Sequence, residues 1–205
     1  INSSNLQNLC NEVVLYAVSK NIQLALGTEY IKTFNFGKVK TSQIRYYNTS
    51  SKLIGHYVKQ MTIPLENAYP GKGPKIVEIE GTNASGPYNF KVGSFICNDM
   101  WGHSWSGGKT IVWTAYQNFN MNNRNECQLF IHSTNGGRGG DPKLDKLFND
   151  WHNSHLTMLS HLGRTPIITV DNSIHMTGDP YEGETSSESG VVINGEWKTK
   201  VPRYG

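Results

Sequence analysis

The sequence has no hydrophobic run long enough to cross a bilayer as a helix, so no membrane partner is expected. Its first residues, Ile1-Asn2-Ser3-Ser4, include neither an initiator Met nor a basic-then-apolar leader, and the chain is expected to begin inside a longer gene product. A charge excess is also missing. The 19 Lys and Arg against 16 Asp and Glu leave a net charge of +3, scattered along the chain, which is too little to attract nucleic acid. Cysteine is scarce: Cys10, Cys97 and Cys127 cannot all pair with one another, and their spacing is not that of metal ligands. A reducing, cytoplasmic setting without a bound metal is the simpler reading. No internal repeat occurs, and the one Gly-rich run, Gly136 to Gly140, lacks the lysine and helix start of a phosphate-binding loop.

What is there suits one globular domain spanning 1–205 with a sizeable core. Leu6, Leu9, Cys10, Val13, Val14, Ala17 and Val18 follow the helical i, i+3, i+4, i+7 spacing, which predicts an amphipathic helix over 5–20 ending at a left-handed Asn21. Residues 22–26 read as a buried strand closed by Gly27, and 31–40 as a polar loop. Two strands, 43–47 and 52–59, flank the turn-rich Asn48-Thr49-Ser50-Ser51, and alternation puts Leu53, Gly55, Tyr57 and Lys59 on one face. The Pro- and Gly-rich stretch Pro64 to Pro74 cannot be regular structure. Further on, 127–132 and 165–171 read as strands, and 144–162 as a helix with Leu144, Leu147, Phe148, Trp151, His155, Met158, Leu159 and Leu162 on one stripe. Asn194-Gly195 marks a closing hairpin. Strands that alternate with helices but also pair in hairpins imply mixed sheets.

The stretch Lys91-Val92-Gly93-Ser94-Phe95-Ile96-Cys97-Asn98-Asp99 is a short buried strand that delivers a thiol where it opens into a loop. Alternation places Gly93, Phe95 and Cys97 on one face and Val92, Ser94 and Ile96 on the other. Taken alone, a cysteine at the end of an apolar run is usually a small buried hydrophobe. A nucleophilic thiol needs a cation or base beside it, and acyl transfer needs positive charge where the oxyanion forms. Lys59, at another strand end, and Glu66, in the rigid segment between the two, are residues of those kinds.

Gly55-x-Tyr57-x-Lys59, then Pro64-x-Glu66-x-x-Tyr69-Pro70-Gly71, then Gly93-x-x-Ile96-Cys97-Asn98-Asp99 resembles, in order, the nitrilase (carbon–nitrogen hydrolase) superfamily and its amidase-like members in particular. Leu26-Gly27 resembles that family's early strand closing on glycine, and Tyr47-Asn48-Thr49 its hairpin element. Gln128 to Gly137 resembles the strand and loop after the nucleophile, and Pro166 to Asp171, Ser187-x-Ser189-Gly190 and Asn194-Gly195 resemble the closing elements. The resemblance implies an α-β-β-α sandwich of two mixed sheets flanked by helices, and a Glu-Lys-Cys catalytic set. By it Cys97 is the nucleophile, and Lys59, with the backbone N–H of Asn98, stabilises the tetrahedral intermediate. Glu66 matches an additional glutamate that positions substrate and lysine.

The family's general-base glutamate lies upstream of the helix with which this chain begins. No residue here matches it, so it is expected before Ile1. His103, His132, Ser133 and Asn135 are expected to border the substrate. The implied reaction is hydrolysis of a non-peptide C–N bond in a small linear amide, or in a nitrile or N-carbamoyl compound, through a thioester. It needs no metal or organic cofactor, and a homodimer or higher homo-oligomer is implied. A catalytically inactive nitrilase-fold fragment, kept for binding or assembly, is the alternative.

Overall fold

The computed structural model of the chain describes residues 3–62, 67–100, 127–134, 142–171 and 188–201. Helix α1 spans Ser3–Ser19. Asn21 ends it with φ +55°, and the Ile22 N–H reaches back to the Ala17 carbonyl at 2.9 Å, the left-handed end its sequence predicts. Cys10, Val14 and Ala17 are buried, whereas Leu9 and Val13 of the expected apolar stripe are exposed. The helix lies along β1, and only the narrow side touching that strand is covered.

Residues 31–40 are not a loop. Strand β1 (Leu24–Phe34) and strand β2 (Gly37–Tyr47) form a long antiparallel hairpin, in register from Leu24↔Tyr47 to Phe34↔Gly37. Asn35-Phe36 is its two-residue turn, and Gly37 follows at φ +129°, where a side chain is strained. Backbone pairing carries this segment through a sequence whose alternation is blurred by polar residues on both faces. Gly27 accordingly sits inside a strand and does not close one.

Strand β3 (Leu53–Val58) pairs with β2 and completes a three-stranded antiparallel sheet, β1-β2-β3. The second sheet has six strands in the order β4 (Val77–Asn83), β5 (Gly86–Ile96), β6 (Leu129–Thr134), β7 (Ile167–Asp171), β8 (Ser189–Ile193) and β9 (Glu196–Val201). It is mixed: β5, β6 and β7 run parallel, and hairpins flank them on both sides. The last hairpin turns on Asn194 (φ +52°) and Gly195 (φ +83°), the left-handed pair that an Asn-Gly signal specifies.

The sheets stack face to face. Ile44, Tyr46 and Tyr57 from the first pack on Val77, Val92 and Ile96 from the second. Within that layer the Tyr46 and Ser94 hydroxyls share a hydrogen bond of 2.5 Å. On the far side of the second sheet, Phe95, Phe130, Ile167 and Val192 pack against Leu156 and Leu159 of helix α2 (Pro142–Gly163). The layers are thus helix, sheet, sheet, helix. Helix α2 is turned by about one residue from the expected stripe. Leu147, Met158 and Leu162 are exposed, and His152, Leu156, Leu159 and Ser160 face the sheet. Ser160 explains the rotation, because its hydroxyl lies 3.1 Å from the Thr165 carbonyl and 3.2 Å from that of Val192, both of which it can serve only from the buried side. Among the described residues no helix is long and apolar enough to cross a membrane.

Candidate active site

Strand β5 ends in a single 3₁₀ turn, Cys97–Asp99. Cys97 has φ +48°, a left-handed conformation unusual for a residue with a side chain. This breaks the strand's alternation. Phe95 faces helix α2, but Cys97 packs on the cluster between the two sheets, with Val92 and Ile96, and not on the Phe95 face where strict alternation puts it. Its neighbours Ile96, Asn98, Asp99 and Met100 are buried while Cys97 stays partly exposed, and none of the three cysteines forms a disulfide.

Lys59 follows directly on β3, on the inner face it shares with Tyr57. Its main chain is fixed on both sides: its N–H donates to the Ser42 carbonyl (2.9 Å), and its carbonyl accepts from the Gly71 N–H (2.7 Å). The side chain is covered almost entirely, at 1% exposure. A lysine so buried is held there by its surroundings, since the usual lysine is solvated.

Asp99 links these two segments. Its Oδ2 accepts from the Tyr57 hydroxyl (2.7 Å) and the Ile96 N–H (3.1 Å), and its Oδ1 from the N–H groups of Gln60 (3.0 Å) and Met61 (2.6 Å). Complete burial pushes its carboxyl up to about 6, against the pull of the Met61, Tyr57 and Ile96 donors and the charge of Lys59. The group therefore remains a carboxylate at neutral pH, and its four acceptor positions are filled by four donors. Neither Asp99 nor Tyr57 stood out from the sequence as more than motif letters. The available signal was their spacing, two positions from Cys97 and two from Lys59.

Of the other expected site residues, Asn98 is buried, and its Nδ2 donates to the Met61 carbonyl (3.1 Å). Its side chain serves the scaffold. Ser133, on the inner face of β6, lies against β1: a Cβ built on Gly27 would come within 2.5 Å of its Oγ. His132 is on the opposite face of β6 and fully buried, with the Cys97 backbone and Lys59 near enough to influence it. Its Nδ1 is 2.9 Å from Thr169 Oγ1, and its ring lies 5.2 Å from that of His152. Burial above all, with His152 and Lys59 adding to it, holds His132 well below the ordinary imidazole range, against the opposing pull of the Cys97 backbone. Glu66, His103 and Asn135 lie outside the described residues. Among the described residues no group of three or more His, Cys, Asp or Glu side chains is placed to hold a metal ion.

No family model and no curated protein matches the sequence. Solved structures do. A carbon–nitrogen hydrolase from Helicobacter pylori G27 aligns with a TM-score of 0.69 over 98% of this chain and 65% of its own, at 13% identity. A Saccharomyces cerevisiae member of branch 10 of the nitrilase superfamily gives a TM-score of 0.64 over 94% of this chain and 60% of its own, at 14% identity. A variant of the amidase from Nesterenkonia sp. AN1, which carries acrylamide joined by Michael addition to its active-site cysteine, gives 0.61 over 98% and 67%, at 13% identity. The chain has the fold of the nitrilase superfamily. It spans between 60% and 65% of the length of the first two of these structures.

Proposed function

We propose that the chain carries the nucleophile and the oxyanion-stabilising lysine of a carbon–nitrogen hydrolase that acts on small linear amides. One observation carries this reading: Lys59, buried, and Cys97, partly exposed in a strained backbone, stand at the same end of two packed sheets and are joined through Asp99. The Cys97 thiolate attacks the carbonyl carbon, and the Lys59 ammonium and the Asn98 N–H meet the charge that develops on oxygen. The C–N bond breaks, the amine leaves with a proton, and the acyl group stays on Sγ as a thioester. Water then attacks the thioester, which releases the acid and restores the thiol. Asp99, with every lone pair engaged, is not the base, and the proton shuttle is assigned to another carboxylate. Glu66 follows Met61 and precedes Gly71, both hydrogen-bonded beside Lys59, and is proposed to orient Lys59 and the substrate. The adduct on the Nesterenkonia cysteine is a conjugate addition, and it supports a nucleophilic thiol at the corresponding place in this fold.

The test pairs chemistry with turnover. Iodoacetamide should label Cys97 in preference to Cys10 and Cys127. Because those two are buried, exposure alone would favour Cys97, so the deciding comparison is with Lys59→Met, which should slow labelling about tenfold by removing the cation beside the thiolate. Ammonia release from acetamide and propionamide should fall with it. Labelling of Cys97 that is indifferent to Lys59 would defeat this reading.

A further inference from the structure

We infer that Asp99 is a positioning residue whose carboxylate, with the Tyr57 hydroxyl, sets where Lys59 stands relative to Cys97. The inference rests on the hydrolase reading above and adds a residue role to it. The donors that converge on Asp99 are not a random set. Tyr57 lies two residues before Lys59, Gln60 and Met61 are the two residues after it, and Ile96 is the residue before Cys97. One carboxylate therefore holds the lysine's segment on both sides of the lysine and holds the turn that presents the thiol. Two further bonds tighten the same junction. Asn98 Nδ2 donates to the Met61 carbonyl, and Gln60 Nε2 donates to the Tyr57 oxygen at 3.1 Å. Lys59 belongs to the three-stranded sheet and Cys97 to the six-stranded one, so no run of main-chain ladder bonds fixes one against the other. Asp99 supplies that link.

The geometry also specifies an ionised acid at this position. Four donors need four acceptor sites, which a carboxylate has and a carboxamide does not. An asparagine would turn an NH₂ group toward two of the four donors and free them. Asp99 itself has no lone pair left for substrate or proton transfer, so its effect has to run through Lys59.

A double-mutant cycle on Cys97 alkylation tests this without reference to any substrate. The rate of iodoacetamide labelling, followed by mass spectrometry, is compared in the full chain, Asp99→Asn, Lys59→Met and the double variant, with near-ultraviolet circular dichroism confirming packing in each. Asp99→Asn should slow Cys97 labelling about as much as Lys59→Met does, roughly tenfold, and the double variant should be no slower than either single one. Tyr57→Phe, which removes one of the four bonds and keeps the ring, should give an intermediate loss. It also decides the matter if Asp99→Asn does not fold. If Lys59→Met slows labelling but Asp99→Asn or, failing it, Tyr57→Phe does not, the positioning role is wrong and the hydrolase reading stands. Additive effects in the cycle would overturn it as well, because they would mean that Asp99 acts independently of Lys59. If Lys59→Met itself has no effect, both fall together.

Discussion

At Cys97 the backbone is held at φ +48° although the residue has a Cβ, and such conformations cost about 1–3 kcal/mol unless the surroundings enforce them. Here the enforcement is visible. Asp99 reaches back to the Ile96 N–H, the Met100 N–H closes on the Cys97 carbonyl at 3.2 Å, and the flanking side chains are buried. The strain gives a prediction that is separate from catalysis. Glycine tolerates a left-handed φ and alanine does not, so Cys97→Gly should be more stable than Cys97→Ala by about 1 kcal/mol, although glycine is ordinarily the costlier residue to order. Urea denaturation of the two variants measures this. Equal stability, or a more stable alanine variant, would mean the turn imposes no strain. Cys97 could be read as a candidate from the sequence because the motifs that carry Lys59 and Glu66 precede its own in the family's order, whereas the apolar run by itself suggested packing. That it turns between the sheets could not, since a left-handed residue at a strand end has no compositional mark when it is not glycine.

Among the elements, β1 and β6 come into contact where Gly27 meets Ser133. A methyl at Gly27 would lie 2.5 Å from Ser133 Oγ and 3.3 Å from its Cβ, closer than packed atoms allow. Gly27→Ala should cost about 1–3 kcal/mol as an overpacking change, and adding Ser133→Ala should restore part of the loss by removing the nearer atom. Thermal melts of the two singles and the double give the coupling; additivity would show that the sheets do not touch there. This contact also explains what sequence reading gets wrong about β1. Glycine looks like the end of a strand when its neighbours are unknown, whereas here it is the position that lets a second sheet close in. The same kind of error placed the buried stripe of α2 on Leu147, Met158 and Leu162: residue type suggests which side is apolar, but the Ser160 hydroxyl reaches the Thr165 and Val192 carbonyls only when its side of the helix is buried. The closing hairpin and the end of α1 were legible because Asn194-Gly195 and Asn21 dictate their own backbone angles.

For the whole molecule, buried ionisable groups of opposite behaviour set the response to acid. His152 is held down to about 4, chiefly by burial. It stays neutral in the folded chain while the unfolded chain takes up a proton below its ordinary value, so its contribution to stability is complete above about 6.5 and is lost as pH falls toward 4. His132 acts in the same direction. Asp99, raised to about 6, acts oppositely. The folded chain binds its proton first, so stability is regained as pH falls from about 6 toward 4. Between pH 7 and pH 5 His152 alone removes about 2 kcal/mol and Asp99 returns about 1 kcal/mol. The protein should therefore become less stable on mild acidification, and His152→Leu should flatten the decline by about 2 kcal/mol, as read from urea midpoints at the two pH values. An unchanged slope in the variant would place the titration elsewhere. The order of motifs along the chain was enough to suggest the layered sandwich. Which face of β6 carries His132 was not readable, because Leu129, Phe130 and Ile131 put apolar side chains on both faces of a six-residue strand and leave little pattern to tell one side from the other.

Tyr57 and Tyr46 both extend from the three-stranded sheet to hydroxyl or carboxylate partners on β5 or the turn that follows it. The junction at Asp99 is therefore sensitive to sliding between layers. A small shear of one sheet over the other would leave every ladder bond intact and every strand in register, yet it would withdraw Gln60 and Met61 from Asp99 and carry the lysine away from the thiol. On this view substitutions in the inter-sheet layer, far from Cys97, are the ones that would move Lys59 relative to Cys97 without touching either residue.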